Sequence, residues 1–292
     1  MSSYTASQIP DVLRRSRRGG GLILFLFPAL LWGGVASGQP QKLPIVDAHI
    51  HYNQPDWGVI SAEQVLSILD RAGIRYALVS STPDDGTLKL YAKAPDRIVP
   101  FLRPYRGRDD VLTWHSDPEV QAYVEERLKR GVYKGIGEFH LSAVEQTEAP
   151  VVRRCAELAA QQRLFLHAHV DDTTVEKLLQ LQPGVKILWA HAGMTASAAT
   201  VGRLLGQFPS LWVELAMRPD VAAPNGTLTP EWREVFLQHP DRFMVGTDTW
   251  VTSRWDSLVE GMQAMRNWLG QLPGDVAERI AHRNAERLFR SP

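Results

Sequence analysis

The fold is decided by Ile45-Val46-Asp47-Ala48-His49-Ile50-His51, an apolar start that ends in a His-x-His pair. It reads as a buried strand, and a helical pattern follows it. Ser61 stands at a cap position before Val65, Leu66 and Leu69, and Gly73 closes the run. The same alternation recurs down the chain. Apolar runs at 76–79, 98–102, 133–137, 164–166, 185–189, 211–215 and 243–245 read as seven further strands. Helical periodicity separates most of them, after Asp117 and near 150–162, 173–181, 196–207, 230–238, 256–270 and 275–289. Repeated strand–helix units force parallel pairing under a cover of helices. Eight units in about 250 residues predict an α/β fold, a single-domain (β/α)8 TIM barrel. An open doubly wound sheet is disfavoured, because no Gly-x-Gly-x-x-Gly turn follows the first strand.

Histidines and acids gather at the predicted strand ends. His49 and His51 end the first strand, Glu138 and His140 the fourth, His167 and His169 the fifth, His191 the sixth and Asp248 the eighth. Alternate residues of a strand share a face, so His49 and His51 can hold one cation together. In a barrel the C-terminal strand ends converge on one mouth. Imidazoles and carboxylates meeting there describe a site for zinc or a similar divalent metal. Around the mouth, Arg218 can grip a substrate carboxylate or phosphate, or pair with Asp220; Arg103 and Arg106 invite the same reading. Trp250 can wall the pocket or pack, and Glu214 can face the barrel interior. His115, His239 and His282 fall in helix or loop patterns and read as non-catalytic.

The ordered set His49-x-His51, Glu138, His167 or His169, His191 and Asp248 resembles the amidohydrolase superfamily, in particular its amidohydrolase-related branch. The likeness covers about residues 44–290. Ile280-Ala281-His282-Arg283-Asn284-Ala285-Glu286-Arg287-Leu288-Phe289 is similar to the family's closing helix, whose Asn-Ala and Leu-Phe pairs pack under the barrel. The resemblance implies that His49, His51, His167 or His169, His191 and Asp248 surround one or two divalent metals, zinc foremost. Distance to the following helix favours His167 as the fifth-strand ligand, with the other histidine, His169, left to substrate. Glu138 fits the bridging glutamate of two-metal members; if it positions substrate instead, with His140 beside it, the site holds one metal. Lys134 lies too deep for the mouth and reads as structural. The implied reaction is hydrolysis of an ester, lactone or amide of a small molecule by metal-activated water. Asp248 would carry the proton, and His191 would do so or polarise the scissile carbonyl. A zinc-dependent decarboxylase of a small aromatic acid is the rival enzyme, and a catalytically silent metal- or ligand-binding protein the rival from another class.

Composition limits the partners. The 32 basic and 32 acidic residues cancel, but residues 1–38 carry +3 through Arg14, Arg15, Arg17, Arg18 and Asp11, leaving −3 on residues 39–292. A barrel without basic excess is a poor nucleic-acid binder. The arginines precede an apolar run near 22–32 and the small residues Ala36, Ser37 and Gly38, the pattern of an export signal. The apolar stretch is short of the ~20 residues of a stable span. The expectation is a signal over 1–38, export to the periplasm or beyond, and membrane contact only if that segment stays uncleaved. A homo-oligomer is left open. Cys155 is the one cysteine and sits on the apolar face of a helical pattern, so it reads as core.

Overall fold

Eight parallel strands follow one another in chain order around a single sheet. They are β1 (Ile45–Ile50), β2 (Ile74–Val79), β3 (Ile98–Leu102), β4 (Gly135–His140), β5 (Phe165–His169), β6 (Lys186–Trp189), β7 (Leu211–Glu214) and β8 (Phe243–Met244). The computed structural model describes residues 43–290. The segment 1–38, read above as an export signal, lies outside the described residues. Every strand read from the sequence is present, although β4 begins at Gly135 and runs on to His140.

The two-residue β8 is too short to close the barrel by a full ladder, and isolated backbone and side-chain hydrogen bonds complete the seam. Ala48 N–H donates to the Val245 carbonyl at 2.9 Å and Asp248 N–H to the His49 carbonyl at 2.7 Å. Asp47 accepts from the Thr247 amide and hydroxyl at 3.0 and 2.7 Å. Thr249 accepts the His51 amide at 2.9 Å and donates to the His51 carbonyl at 2.7 Å. The seam between first and last strands is therefore built from the residues that flank the His-x-His pair and Asp248.

The helices are α1 (Ala62–Ala72), α2 (Asp85–Lys93), α3 (Pro118–Leu128), α4 (Pro150–Gln162), α5 (Asp172–Leu181), α6 (Ala198–Gln207), α7 (Pro230–Gln238) and α8 (Arg254–Leu269). Ser61 caps α1 by accepting from the Gln64 amide, and Gly73 ends it with a left-handed φ of 68°. The sequence pattern gave no helix after β2, where Asp84-Asp85-Gly86 disguises the start of α2. The expected run 275–289 is two short helices, α9 (Gly274–Glu278) and α10 (Asn284–Phe289), joined by a wider turn over Arg279–Arg283. Among the described residues, no helix is long and apolar enough to cross a membrane.

Alternation along the strands splits the apolar residues into two layers. One, including Ile45, Leu166, Ile187 and Val213, packs between the sheet and the helices, with Cys155 among it. The other fills the barrel interior with Val46, Leu78, Val99, Phe101, Phe165, Leu188 and Met244. Phe289 of α10 seals that interior from below, its ring 5.6 Å from Phe101 and 4.9 Å from Phe165. Asn284 holds the plug in place by donating to the Pro240 and Phe243 carbonyls, both at 2.9 Å. Fully burying a phenylalanine is worth about 1.5–3 kcal/mol, so the lower half of the barrel is a rigid base. The polar residues sit above it.

Candidate metal centre

His49, His51 and His191 each spend Nδ1 on an acceptor behind them. His49 Nδ1 donates to Glu214 Oε1 at 2.9 Å, His191 Nδ1 to the Ala216 carbonyl at 3.1 Å, and His51 Nδ1 to the Ser80 carbonyl. A carbonyl can only accept, so these partners assign the proton to Nδ1 and leave Nε2 as a bare lone pair in each neutral ring. The three Nε2 atoms face a common centre with two carboxylates. His49 and His51 Nε2 lie 3.0 Å apart. Glu138 Oε2 is 3.4 and 3.2 Å from them, and Asp248 Oδ1 is 3.7 and 3.3 Å away. His191 Nε2 is 3.3 Å from Glu138 Oε1. Asp248 Oδ1 is buried and receives no hydrogen bond. Acceptors packed this closely repel one another unless a cation lies among them, and these donor types suit zinc or a similar first-row ion. The residues present fit a divalent metal.

Local backbone conformations aim these groups. His191 and Asp248 adopt left-handed φ values of 54° and 56°, each costing about 1–3 kcal/mol for a non-glycine residue. Arg254 secures the second by donating to the Asp248 and Thr247 carbonyls at 2.5 and 2.7 Å. Gly137 has φ +125°, and a Cβ there would lie 2.1 Å from the His167 carbonyl oxygen, so only glycine lets β4 approach β5.

Charge follows the geometry. Burial alone would lower the pKa of His49, but the carboxylates of Glu138, Glu214 and Asp248 outweigh it and hold the ring well above its ordinary value. Burial opposes ionisation of Glu138, yet the charge of His49 and the hydrogen bond from His169 bring it well below the usual range. Burial pushes His140 down to about 3 and His167 down to about 4, so both stay neutral.

The fifth-strand histidines separate. His169 Nδ1 is 3.0 Å from Glu138 Oε1 and its ring lines the mouth, where a cavity of about 530 Å³ opens. His167 lies beneath, 4.5 Å from the His49 ring centre and 4.0 Å from Glu214, off the cavity wall. Of the two, it is His169, two residues further along on the same strand face, that reaches the mouth, while His167, which the sequence reading favours, stays below it. His140 stacks 4.3 Å from His169 and lines the cavity with Trp250, which is 51% exposed. Arg218 does not reach it. Its guanidinium donates to the His191, Ala192 and Ala196 carbonyls at 3.2, 2.8 and 2.7 Å and to both Asp220 oxygens, so no N–H remains for a substrate. Arg106 is likewise tied to Asp110, Asp117 and Glu119. Arg103 does line the cavity, because Val99, Phe101 and Arg103 alternate onto the inward face.

Residues 46–291 match the family model described as Amidohydrolase. The chain belongs to the amidohydrolase family. No curated protein matches it. Among solved structures, this amidohydrolase is similar to a probable 2-pyrone-4,6-dicarboxylic acid hydrolase from Acinetobacter baumannii with citric acid bound, at 13% identity and TM-score 0.60, covering 85% of this chain and 100% of the other. A 5-carboxyvanillate decarboxylase from Novosphingobium aromaticivorans, complexed with manganese and a nitrobenzoic acid, matches at 14% and 0.56, over 87% and 98%. An amidohydrolase from Burkholderia multivorans with bound zinc matches at 14% and 0.52, over 85% and 100%. At such identities the likeness establishes the barrel.

Proposed function

We propose that this amidohydrolase cleaves an ester, lactone or amide bond of a small molecule, with zinc or a related divalent cation held by His49, His51, His191, Glu138 and Asp248. The observation that carries the reading is the set of three Nε2 lone pairs and two carboxylates facing one centre on the cavity wall. Glu138 offers Oε2 to His49 and His51 and Oε1 to His169 and His191, which supports a second cation with His169 as a ligand. When bound, the metal supplies Lewis acidity that brings a water's pKa toward neutrality.

The chain's own groups divide the remaining work. Asp248 Oδ1, free of hydrogen bonds, is placed to take a proton from the attacking water and return it to the leaving group. His191 offers a lone pair and no proton, so it serves as a ligand and not as the group that polarises a carbonyl. Tyr105 accepts the His140 amide at 2.8 Å and donates to His140 Nδ1 at 3.0 Å. That leaves His140 Nε2–H to hold a substrate oxygen. Trp250, Met194 and Met217 give the cavity an apolar side for the body of the substrate.

A hydrolysis screen of esters, lactones and amides with metal-replete protein tests the reading. Turnover should fall by about 10²–10⁴-fold in Asp248→Asn while metal stays bound. A folded chain that binds no divalent metal would overturn it. Decarboxylation of an aromatic acid is the second reading, favoured by Arg103 and Arg108 on the cavity wall. Arg103 Nη1 and the whole Arg108 guanidinium make no hydrogen bond among the described residues, and either can hold a carboxylate. Carbon dioxide release in the same screen separates the two. Export through residues 1–38 is also proposed, on the arginines and apolar run of that segment; mature protein confined to the cytosol on fractionation would refute it.

A further inference from the structure

Glu214 ends β7 directly behind the centre, wholly buried, and its carboxylate gathers three N–H groups from three places in the chain. Oε1 accepts His49 Nδ1–H at 2.9 Å and the His191 amide at 2.6 Å; Oε2 accepts the Ala216 amide at 2.7 Å. No arginine or lysine pairs with it among the described residues, and only imidazoles lie within ion-pair distance. A buried carboxylate without a strong counter-cation is costly unless something else uses its charge. Space is reserved for it: a Cβ on Gly246 would lie 2.6 Å from Glu214 Oε2, so the residue that faces it, just beyond β8, is a glycine.

We infer that Glu214 is the positioning residue of the metal centre, fixing the tautomer of His49 and the backbone of His191 at the same time. The inference rests on the metal-centre reading above. Its physical basis is that the two ligands need different things. His49 must present Nε2 unprotonated, and an acceptor on Nδ1 secures that while making the ring a stronger donor to a cation. His191 must keep a left-handed φ of 54° that its side chain disfavours. A 2.6 Å charge-assisted hydrogen bond to its amide opposes relaxation of that turn. One carboxylate does both, so its loss would loosen ligands from β1 and β6 together. Glu214 reaches neither the cavity nor a substrate.

Two measurements on the full chain test this. Zinc affinity, read by competition with a chromophoric chelator, should weaken by about 10–100-fold in Glu214→Ala. Glu214→Gln should lose less, because its amide oxygen still accepts one of the N–H groups. A folded Glu214→Ala protein with zinc affinity within about twofold of wild type would overturn the proposal in favour of simple packing. Imidazole nitrogen shifts of the zinc-loaded wild-type protein should show the His49 proton on Nδ1, and a His49 proton on Nε2 with zinc bound would equally overturn it. If neither variant folds, that tautomer decides. A wild-type chain that binds no zinc would overturn the metal-centre reading itself, whereas a His49 Nδ1 proton in that chain would still support Glu214 as its anchor.

Discussion

Arg103 is joined to Glu138 twice, through Nη2 to Oε2 at 2.8 Å and through Nε to the main-chain carbonyl at 3.1 Å. Both side chains are buried, at 8% and 3% exposure. Among the described residues this is the one permanent cation in contact with the central carboxylate, and it leaves the histidine-facing edges of Glu138 open.

Replacing Arg103 by methionine should therefore act differently with and without metal. Removing one partner of a buried pair typically costs about 3–5 kcal/mol, because the other charge is stranded. A bound divalent ion would compensate Glu138, so the loss in urea unfolding should be large in metal-free protein and clearly smaller in metal-loaded protein. Equal losses in the two states would show that no cation reaches Glu138.

The two oxygens of Glu138 face different histidines, so Glu138→Gln should discriminate between one ion and two. If the carboxylate bridges, elemental analysis of the variant should fall from two metals per chain to one. Unchanged stoichiometry would assign Glu138 to holding substrate or ligands.

Asp84 supplies a pH signature away from the centre. Burial raises its carboxyl to about 6, against the hydrogen bond from Tyr133 at 2.5 Å and the charge of Arg127. The folded state thus holds this proton at pH values where the unfolded chain has released it, and stability falls as pH rises from about 4 to about 6. Asp84→Asn keeps an acceptor for Tyr133 without the charge. Between pH 4 and 7 the wild type should lose stability relative to the variant, on the order of 3 kcal/mol, in urea titrations. Parallel pH profiles would mean that Asp84 ionises freely.

The barrel could be read from sequence because period-two strands and capped helices are local signals. Alternation also extended to some site residues: Leu211-Trp212-Val213-Glu214 turns Trp212 and Glu214 to one face, and the structure puts both inward. The site became illegible where the chain leaves regular geometry. Nothing local marks His191 and Asp248 as left-handed, since those conformations are imposed by Glu214, Arg218 and Arg254 from elsewhere. The choice between His167 and His169 stayed open in the sequence for a related reason. Both point inward, and only the height of the Phe101–Phe165–Phe289 plug decides which one clears the core. The start of α2 was hidden because Asp84 serves the buried contact with Tyr133 and does not cap the helix with its side chain.

Arg218 carries the sharpest contrast between the two readings of one residue. As a substrate grip it would raise KM for anionic substrates and leave folding unchanged when removed. The structure assigns its N–H groups to Asp220 and to the carbonyls of His191, Ala192 and Ala196, with the guanidinium 4.7 Å over the Trp232 ring. In Arg218→Met those buried carbonyls lose their donors, at about 1–3 kcal/mol for each group left unsatisfied. Stability should drop by several such increments, and zinc affinity should fall because His191 is freed to leave its left-handed turn. KM should then shift alike for anionic and neutral substrates, since the cavity wall has lost no cation. A selective rise in KM for anionic substrates at unchanged melting temperature would restore the substrate role.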